Sequence, residues 1–303
     1  MTPRFKMWQI AAAIVLIAGA AIAFVEWSKT RTRYDATQLL SCLPAGHAVR
    51  LYIDVNALRS RGLLDGLEGG QTAQEPDYVR FVQATGFDYR KDLNAVAAEF
   101  ANGDVYMALH GNFDWKRLSN YAESQGGKCS GSLCSMGASR PNRTISYSPL
   151  SANLLALAVA ADDRAASKIF QPKVLATGTG PSPAIWLFAP GEAFTDLSGL
   201  PDGSHILSPL AEAKEASFEV RDNEIRLDAL CSSPDTAVKI VEKFTATTSL
   251  LRSMLQRDSQ TPNPSDLSGI LVAGKFLTRA DHVIGTWPLQ KEFIEKLLSG
   301  GAR

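Results

Sequence analysis

The sequence predicts an α+β protein in which an N-terminal transmembrane helix is followed by two similar halves of antiparallel sheet with helices on one face. Three observations support this prediction. An unbroken apolar run extends from Ile10 to Val25, and alternating apolar and polar residues mark strands in the rest of the chain. Two turn sequences, Asn102-Gly103 and Asp222-Asn223, lie about 120 residues apart and precede helices at matching distances. This order indicates an internal duplication related to the ferredoxin-like fold.

The apolar run is predicted to anchor the protein in a membrane. As a helix, residues 7–25 would span roughly 28 Å, which is close to the thickness of the hydrocarbon core of a bilayer. Trp8 and Trp27 stand at the two ends of the run, where interfacial aromatic residues are typical. We therefore assign residues 1–27 to a transmembrane anchor. A cleaved signal peptide, with Ala21-Ile22-Ala23 as the cleavage site, is the alternative.

The basic residues around the apolar run do not fix its orientation. Arg4 and Lys6 precede it, and Lys29, Arg31 and Arg33 follow it. The positive-inside rule compares such counts, and here they do not decide which side of the membrane the body occupies. Both the anchor and the signal peptide are export signals. We therefore expect an extracytoplasmic body.

The chain has four cysteines, an even number that suggests disulfides in an exported protein. Cys129 and Cys134 are separated by a short segment that contains Gly131 and can close a small loop. We predict a disulfide between these two residues. Cys42 and Cys231 then form either a long-range disulfide or two buried thiols.

The first half of the body is predicted at residues 44–170, after a polar tether at residues 28–43. Its clearest local signal is Asn102-Gly103, because a type I′ hairpin turn needs positive φ at both central residues. Asp114 is expected to cap the helix that follows it. The predicted elements are a strand at 49–55, helices at 57–67 and 76–85, strands at 94–100 and 104–110, a helix at 115–124, strands at 144–147 and 154–160, and a helix ending at 170.

A segment rich in glycine and proline, residues 171–183, has the composition of a linker. The second half is predicted at residues 184–298, followed by a tail at 299–303. Trp115, Trp186 and Trp287 are expected to pack in the core. The predicted elements of the second half are a strand at 184–189, a short helix at 208–214, a hairpin of 216–221 and 224–231, a helix at 234–257, strands at 269–277 and 282–287, and a helix at 288–298.

The start of the body carries a resemblance to known proteins. Leu43-Pro44-Ala45 runs into the predicted strand at residues 49–55. This stretch resembles the start of the soluble part in a loose group of membrane-anchored bacterial proteins of unknown function. The resemblance implies a bacterial envelope setting. Together with the anchor predicted at residues 1–27, this setting leads us to expect a single-pass protein of the bacterial cell membrane, which contacts the membrane through its N-terminal helix. It implies no catalytic residue.

The charges and motifs exclude several classes of function. The chain has 31 basic and 31 acidic residues, so its formal net charge gives no electrostatic argument for a nucleic acid partner. The four histidines stand singly along the sequence, and we predict no metal site. A phosphate loop and the Gly-x-Ser-x-Gly and His-Glu-x-x-His motifs are missing from the sequence, and we expect no cofactor.

The remaining candidates for chemistry are His110, Asp114 and His282. His110 and Asp114 flank a predicted strand-to-helix turn, where a histidine could act as a general base near a helix N-terminus. The alternative interpretation is a strand end followed by an N-cap, which is a common structural role of aspartate. We adopt this interpretation and predict no catalytic site.

Two hypotheses about function remain. The first is a non-catalytic, membrane-anchored binding or scaffold module whose partner is an envelope protein or peptide. The second is an envelope hydrolase whose site assembles from His110, Asp114 and His282. The distance between the two histidines in the folded chain separates these hypotheses.

Overall fold

The computed structural model describes residues 34–44, 46–64, 76–172, 183–196, 204–221, 223–257, 261–263, 265–290 and 292–293. Within these ranges, no helix has both the length and the apolar character that a membrane span requires. Several predicted segments lie outside the described residues: the anchor at 1–27, the first part of the tether at 28–33, most of the linker, the end of the last helix and the tail at 299–303.

Twelve strands lie in the described residues: β1 Val49–Asp54, β2 Leu93–Ala101, β3 Asp104–Gly111, β4 Lys128–Ser130, β5 Leu133–Gly137, β6 Thr144–Ser151, β7 Leu154–Ala160, β8 Ile185–Pro190, β9 Glu215–Arg221, β10 Glu224–Leu230, β11 Lys275–Arg279 and β12 His282–Pro288. They form one sheet in the order β11-β12-β10-β9-β8-β1-β2-β3-β7-β6-β5-β4. Every neighbouring pair is antiparallel. β11 and β4 are therefore the two edge strands.

The α-helices of the described residues are α1 Ala36–Leu40, α2 Val55–Ser60, α3 Pro76–Thr85, α4 Tyr89–Asp92, α5 Trp115–Ser124, α6 Pro234–Arg257 and α7 Leu267–Val272. Short 3-10 helices cover Ala165–Lys168, Gly191–Phe194 and Ser204–Glu212. The side chains of Asp54, Asp114 and Asp266 accept backbone N–H groups in the first turns of α2, α5 and α7. These N-caps explain where the three helices begin.

The predicted duplication into two ferredoxin-like halves is wrong. β1 pairs with β2 on one side and with β8 on the other, so strands assigned to the two halves continue a single sheet. Ile53, for example, lies opposite Val96 in β2 and opposite Ile185 in β8. Turn sequences predict hairpins between neighbouring strands, but they do not encode which distant strand edges meet. The order of elements therefore repeats along the chain, but the pairing of the strands does not repeat with it.

The local hairpin prediction is confirmed. Asn102 and Gly103 join β2 to β3, and both have positive φ, 52° and 78°. The predicted cysteine loop instead contains two further strands, β4 and β5, which form a hairpin of their own. The sequence does not signal this hairpin, because its strands are short and contain little alternation of apolar and polar residues.

The pairing register divides the strand residues between two faces of the sheet. Directly paired residues share a face, and successive residues along a strand alternate between faces. We call the face that carries Ala189, Leu227 and Val283 the α6 face, because these residues form a core with Ile240 and Phe244 of α6. The opposite face, which carries the paired residues Tyr52 and Trp186, is called the Trp186 face.

Helices cover the α6 face along the sheet. Besides α6, Leu118 and Ala122 of α5 pack against Tyr147 and Leu155 of the sheet. Leu58 of α2 belongs to a third cluster beside β1. A fully buried Leu or Phe side chain contributes about 1.5–3 kcal/mol through removal of its surface from water. These contacts fix the helices to the sheet.

The Trp186 face is covered only in part. Between β1 and β7 its residues Tyr52, Ala97, Ala108 and Ala156 are buried. The segment after α1 and the 3-10 helix at Ala165–Lys168 lie on this region, since Arg50 donates to the Pro44 carbonyl and Ala166 N donates to Ser146 Oγ. The prediction of helices on one face is therefore also wrong. From β8 to β11, the strand residues of this face remain partly or fully exposed, except for Pro190.

Candidate functional site

His110 occupies an enclosed position on β3. It belongs to the Trp186 face, opposite Ala95 of β2 and Leu154 of β7, and it is 7% exposed. Its Nε2 lies 3.3 Å from Nδ2 of Asn153. An amide NH2 group can only donate, so this ring nitrogen is the acceptor. The contact holds the imidazole in place beside the turn between β6 and β7.

Asp114 has the capping role that the sequence suggests. Its Oδ1 accepts a hydrogen bond of 3.0 Å from the backbone N–H of Arg117, and this bond satisfies a free donor at the start of α5. Its Oδ2 also lies 3.4 Å from Nε of Arg117, and both side chains are more than half exposed. The carboxylate is therefore paired and solvated.

His282 lies at the start of β12, on the part of the Trp186 face that remains exposed. Its Nδ1 is 2.6 Å from Oδ1 of Asp228, which belongs to the neighbouring strand β10. The hydrogen bond to Asp228 is the main cause that raises the pKa of His282 above its usual value. Asp281 adds a second carboxylate 4.0 Å from Nε2. Nothing in this pair distinguishes it from an ordinary surface ion pair.

The structure does not bring His110 and His282 together. β3 and β12 are separated in the sheet by β2, β1, β8, β9 and β10. Six strand spacings of roughly 4.8 Å place the two histidines about 29 Å apart. No single substrate bond could be in reach of both side chains. The residues proposed for a hydrolase therefore do not assemble into one site.

An open cleft of ≈ 540 Å³ lies beside the N-terminus of α5. Its carboxylates already have structural partners, since Asp114 caps α5 and Oδ2 of Asp92 accepts the N–H of Asp88 at 2.8 Å. Its lining contains no histidine, cysteine or serine, and the hydroxyl of its one threonine, Thr85, donates to the Phe81 carbonyl, so no hydroxyl or thiol there is paired with a basic side chain. The residues that line the cleft are Thr85, Gly86, Phe87, Asp92, Asn112, Phe113, Asp114, Trp115 and Arg117.

The predicted disulfide between Cys129 and Cys134 is confirmed. The two residues lie directly opposite each other in β4 and β5, with their Cα atoms 4.0 Å apart. Cys42 and Cys231 are buried free thiols, so the second of the two alternatives for them is correct. Burial raises the pKa of Cys42 to about 11 and also raises that of Cys231. Among the described residues, no group of three His, Cys, Asp or Glu side chains is placed to hold a metal ion.

The exposed part of the Trp186 face carries an aromatic pair next to several charged side chains. Trp186 and Phe188 stand two residues apart on β8, and their rings stack with centroids 6.0 Å apart and an interplanar angle of 15°. Both side chains are partly exposed. On the adjacent strand β9, Arg221 pairs with Glu219 at 2.7 Å, and on the next strand, β10, Arg226 pairs with Glu224. This surface is the candidate binding site.

Sequence reasoning missed this surface. The strand at β8 is correctly predicted, but Trp186 is assigned to the core on the basis of residue type. Alternation along β8 puts Trp186 and Phe188 on the face opposite Leu187 and Ala189, and it cannot tell which face a helix covers. The Trp-x-Phe spacing beside strands with charges at alternate positions is the signal that could have identified an exposed aromatic pair.

Comparisons with known proteins add little to this description. No family model and no curated protein matches the chain. Among solved structures, crystal form I of TP0453 has a TM-score of 0.46 and 11% sequence identity over 90% of this chain and 100% of that chain. Crystal form III of TP0453 has a TM-score of 0.44 and 14% identity over 86% and 98% of the two chains. At this level the similarity carries no argument about function.

Proposed function

We propose that this chain is a non-catalytic binding or scaffold protein, held at a bacterial cell membrane by its N-terminal segment with its body on the extracytoplasmic side. The apolar run from Ile10 to Val25 supports the membrane attachment. The disulfide between Cys129 and Cys134 supports an oxidising compartment. The exposed part of the Trp186 face, from β8 to β11 in the sheet, is the observation that carries the binding role.

The composition of this face fits a protein partner. Binding sites for proteins typically combine a few aromatic residues that provide most of the affinity with a polar rim that fixes orientation. Trp186 and Phe188 provide the aromatic part, and the ion pairs of Glu219 with Arg221 and of Glu224 with Arg226 lie on the next two strands of the sheet. Because charges of both signs alternate there, the surface lacks the excess of positive charge that a nucleic acid needs.

Site-specific photo-crosslinking in cells tests the binding role. A p-benzoylphenylalanine residue at position 188 or 217 would lie on the Trp186 face, whereas the same residue at the exposed position Glu123 of α5 would not. We expect a discrete adduct from positions 188 and 217, and its loss when Trp186 is changed to Glu. Adducts of equal yield from position 123, or adducts unaffected by Trp186→Glu, would contradict the proposal.

A reporter thiol tests the location of the body. The native cysteines are unsuitable, because two form a disulfide and two are buried. A Glu123→Cys variant adds an exposed thiol to the helix surface. We expect a membrane-impermeant maleimide to label it in cells whose outer permeability barrier is opened but whose cytoplasmic membrane is intact. Labelling only after lysis would place the body in the cytoplasm.

A further inference from the structure

The edge strand β11 differs from the strands inside the sheet. Among the described strands it pairs only with β12, from Lys275 opposite Thr286 to Arg279 opposite His282. An edge strand offers unpaired N–H and C=O groups to another strand unless side chains or covering segments block it. The opposite edge strand β4 has three residues and is tied to β5 by the disulfide between Cys129 and Cys134. β11 is therefore the longer and more open of the two edges.

The hydrogen-bonding pattern shows which groups of β11 are available. Cys231 N donates to the carbonyl of Asp281 at 2.8 Å, so the odd-numbered residues of β12 bond towards β10. In an antiparallel ladder the even-numbered residues then bond towards β11, and their partners are Lys275, Leu277 and Arg279. The N–H and C=O groups of Phe276 and Thr278 point away from the sheet. Within the part of the chain that the structure describes, these two donors and two acceptors have no backbone partner.

Packing on the α6 face holds this edge rigid. The ring of Phe276 stacks on Phe244 of α6 with centroids 4.7 Å apart and meets Trp287 edge to face at 5.2 Å. Gly274 precedes the strand because a Cβ there would lie 2.6 Å from Nε1 of Trp287. Gly285, opposite Phe276, likewise leaves room for the ring, since its Cβ would lie 3.2 Å from Phe276 Cδ1. A preorganised edge loses little entropy when a partner strand binds.

The side chains on the Trp186 face of β11 carry a defined pattern. Lys275, Leu277 and Arg279 point to this face, all three are exposed, and Leu277 is 54% exposed. Among the described residues, neither Lys275 nor Arg279 has an ion-pair partner. The nearby acid Asp228 is paired with His282. β11 therefore presents a basic, an apolar and a second basic side chain at alternate positions.

We infer that β11 is a docking strand for an extended polypeptide segment of the partner with acidic, apolar and acidic residues at alternate positions. Such a segment would pair antiparallel with β11 through Phe276 and Thr278, and its side chains would meet Lys275, Leu277 and Arg279. Opposite charges directly across antiparallel strands stabilise the pair, and like charges destabilise it. A second copy in the fully overlapped antiparallel register would put Lys275 against Arg279 twice, which disfavours it.

Synthetic peptides test this inference on the full-length chain in a mild non-ionic detergent. The probe is a fluorescent peptide of sequence Thr-Glu-Thr-Val-Thr-Glu-Thr, and its charge-reversed form carries Lys in place of Glu. We expect the acidic peptide to bind at least about tenfold more tightly than the basic one at low salt, and less tightly as salt rises. N-methylation of the amides that face β11 should reduce binding at least about tenfold, because it removes ladder hydrogen bonds.

Variants of β11 test separately how its charges and its backbone groups contribute to peptide binding. Lys275→Glu with Arg279→Glu should invert the preference to the basic peptide. Lys128→Glu with Arg140→Glu changes the net charge equally at exposed sites away from β11 and should leave the preference unchanged. Thr278→Pro should abolish binding of both peptides, since proline removes the outward N–H while edge strands tolerate it. Circular dichroism identical to that of wild type checks the fold of each variant.

The inference rests on the proposed binding function, and the outcomes distinguish the two. Equal binding of both peptides, or loss of preference in the control variant, would overturn the docking strand. A concentration-dependent dimer that Thr278→Pro abolishes would overturn it in favour of a second copy. If neither peptide binds while crosslinks at position 188 persist, the docking strand fails and the proposed function stands. Peptide binding without those crosslinks would support the docking strand and contradict the role of the Trp186 and Phe188 pair.

Discussion

Arg50 and Glu99 face each other across β1 and β2, and Nε of Arg50 donates a hydrogen bond of 3.0 Å to Oε2 of Glu99. The Glu99 side chain is 2% exposed, whereas that of Arg50 is 26% exposed. Nη2 of Arg50 also donates to the Pro44 carbonyl at 3.1 Å. The pair therefore fastens the segment after α1 to the Trp186 face of the sheet and neutralises a buried carboxylate.

Changing Arg50 to Met should destabilise the protein strongly near neutral pH. The substitution leaves Glu99 buried without a cation, and we expect a loss of about 3 kcal/mol in the free energy of unfolding. Burial raises the pKa of Glu99 above its usual value, against the effect of Arg50. A carboxyl whose pKa is raised in the folded state favours folding below its unfolded pKa and loses this contribution as the pH rises. The loss in Arg50→Met should therefore be smaller at pH 4.5 than at pH 7.

Urea unfolding of wild type and variant at the two pH values measures this effect. The double variant Arg50→Met with Glu99→Gln is the control, because it also removes the Glu99 carboxylate that the single variant leaves buried without a cation. We expect it to recover most of the stability at pH 7 and to lose the pH dependence. An equal loss for Arg50→Met at both pH values would show that Glu99 is not responsible.

The disulfide between Cys129 and Cys134 should stabilise the body through the edge hairpin β4–β5. Closure of so short a loop is worth about 2 kcal/mol in the chain-entropy estimate. We expect Cys129→Ser with Cys134→Ser to lower the free energy of unfolding by that amount. A reductant should produce the same shift in wild type. Cys42 and Cys231 are buried thiols, so a Cys42→Ala variant should respond to reductant as wild type does. A loss of that response would mean that the disulfide is not the group that the reductant affects.

The sequence predicts some parts of this structure and not others for physical reasons. Asn102-Gly103 determines its own backbone conformation, so the β2–β3 hairpin can be predicted from two residues. The pairing of β1 with β8 depends on contacts between residues more than 130 positions apart, such as Ile53 and Ile185, and no local pattern contains it. The alternation of residues shows that Trp186 lies on one face of β8, but it does not show whether that face is covered by helices or open. The candidate binding surface is therefore visible only in the folded chain.

The pair of His282 and Asp228 should make stability decrease as the pH rises through the raised pKa of His282. The hydrogen bond to Asp228 raises the pKa of His282 in the folded state. Its contribution to stability is therefore complete below the unfolded pKa of about 6.5 and is lost as the pH rises through the folded pKa. We expect wild type to exceed His282→Gln in stability at pH 6 by less than about 1 kcal/mol, because the pair is exposed, and to lose this advantage at pH 9.

Two measurements check the role of His282. Urea unfolding of wild type and His282→Gln at pH 6 and pH 9 gives the difference in stability, and NMR titration of the His282 ring gives its pKa directly. Asp228→Asn should return that pKa towards its usual value, because it removes the principal cause of the shift. A pKa that is unchanged in Asp228→Asn would contradict the assignment.

Gly191 occupies a position where no side chain fits. It follows β8 and begins the 3-10 helix Gly191–Phe194, and a Cβ there would lie 1.8 Å from the carbonyl oxygen of Ala213. Backbone atoms must move to admit it, and we expect Gly191→Ala to lower the free energy of unfolding by about 3 kcal/mol. Gly137 in β5 is the matched control, since its Cβ would meet nothing within 4 Å. Gly137→Ala should leave stability unchanged or raise it by about 0.5 kcal/mol, because alanine restricts the unfolded chain. Thermal unfolding of the two variants measures the difference. A similar Tm for both would mean that the backbone around Ala213 moves at little cost to admit the side chain.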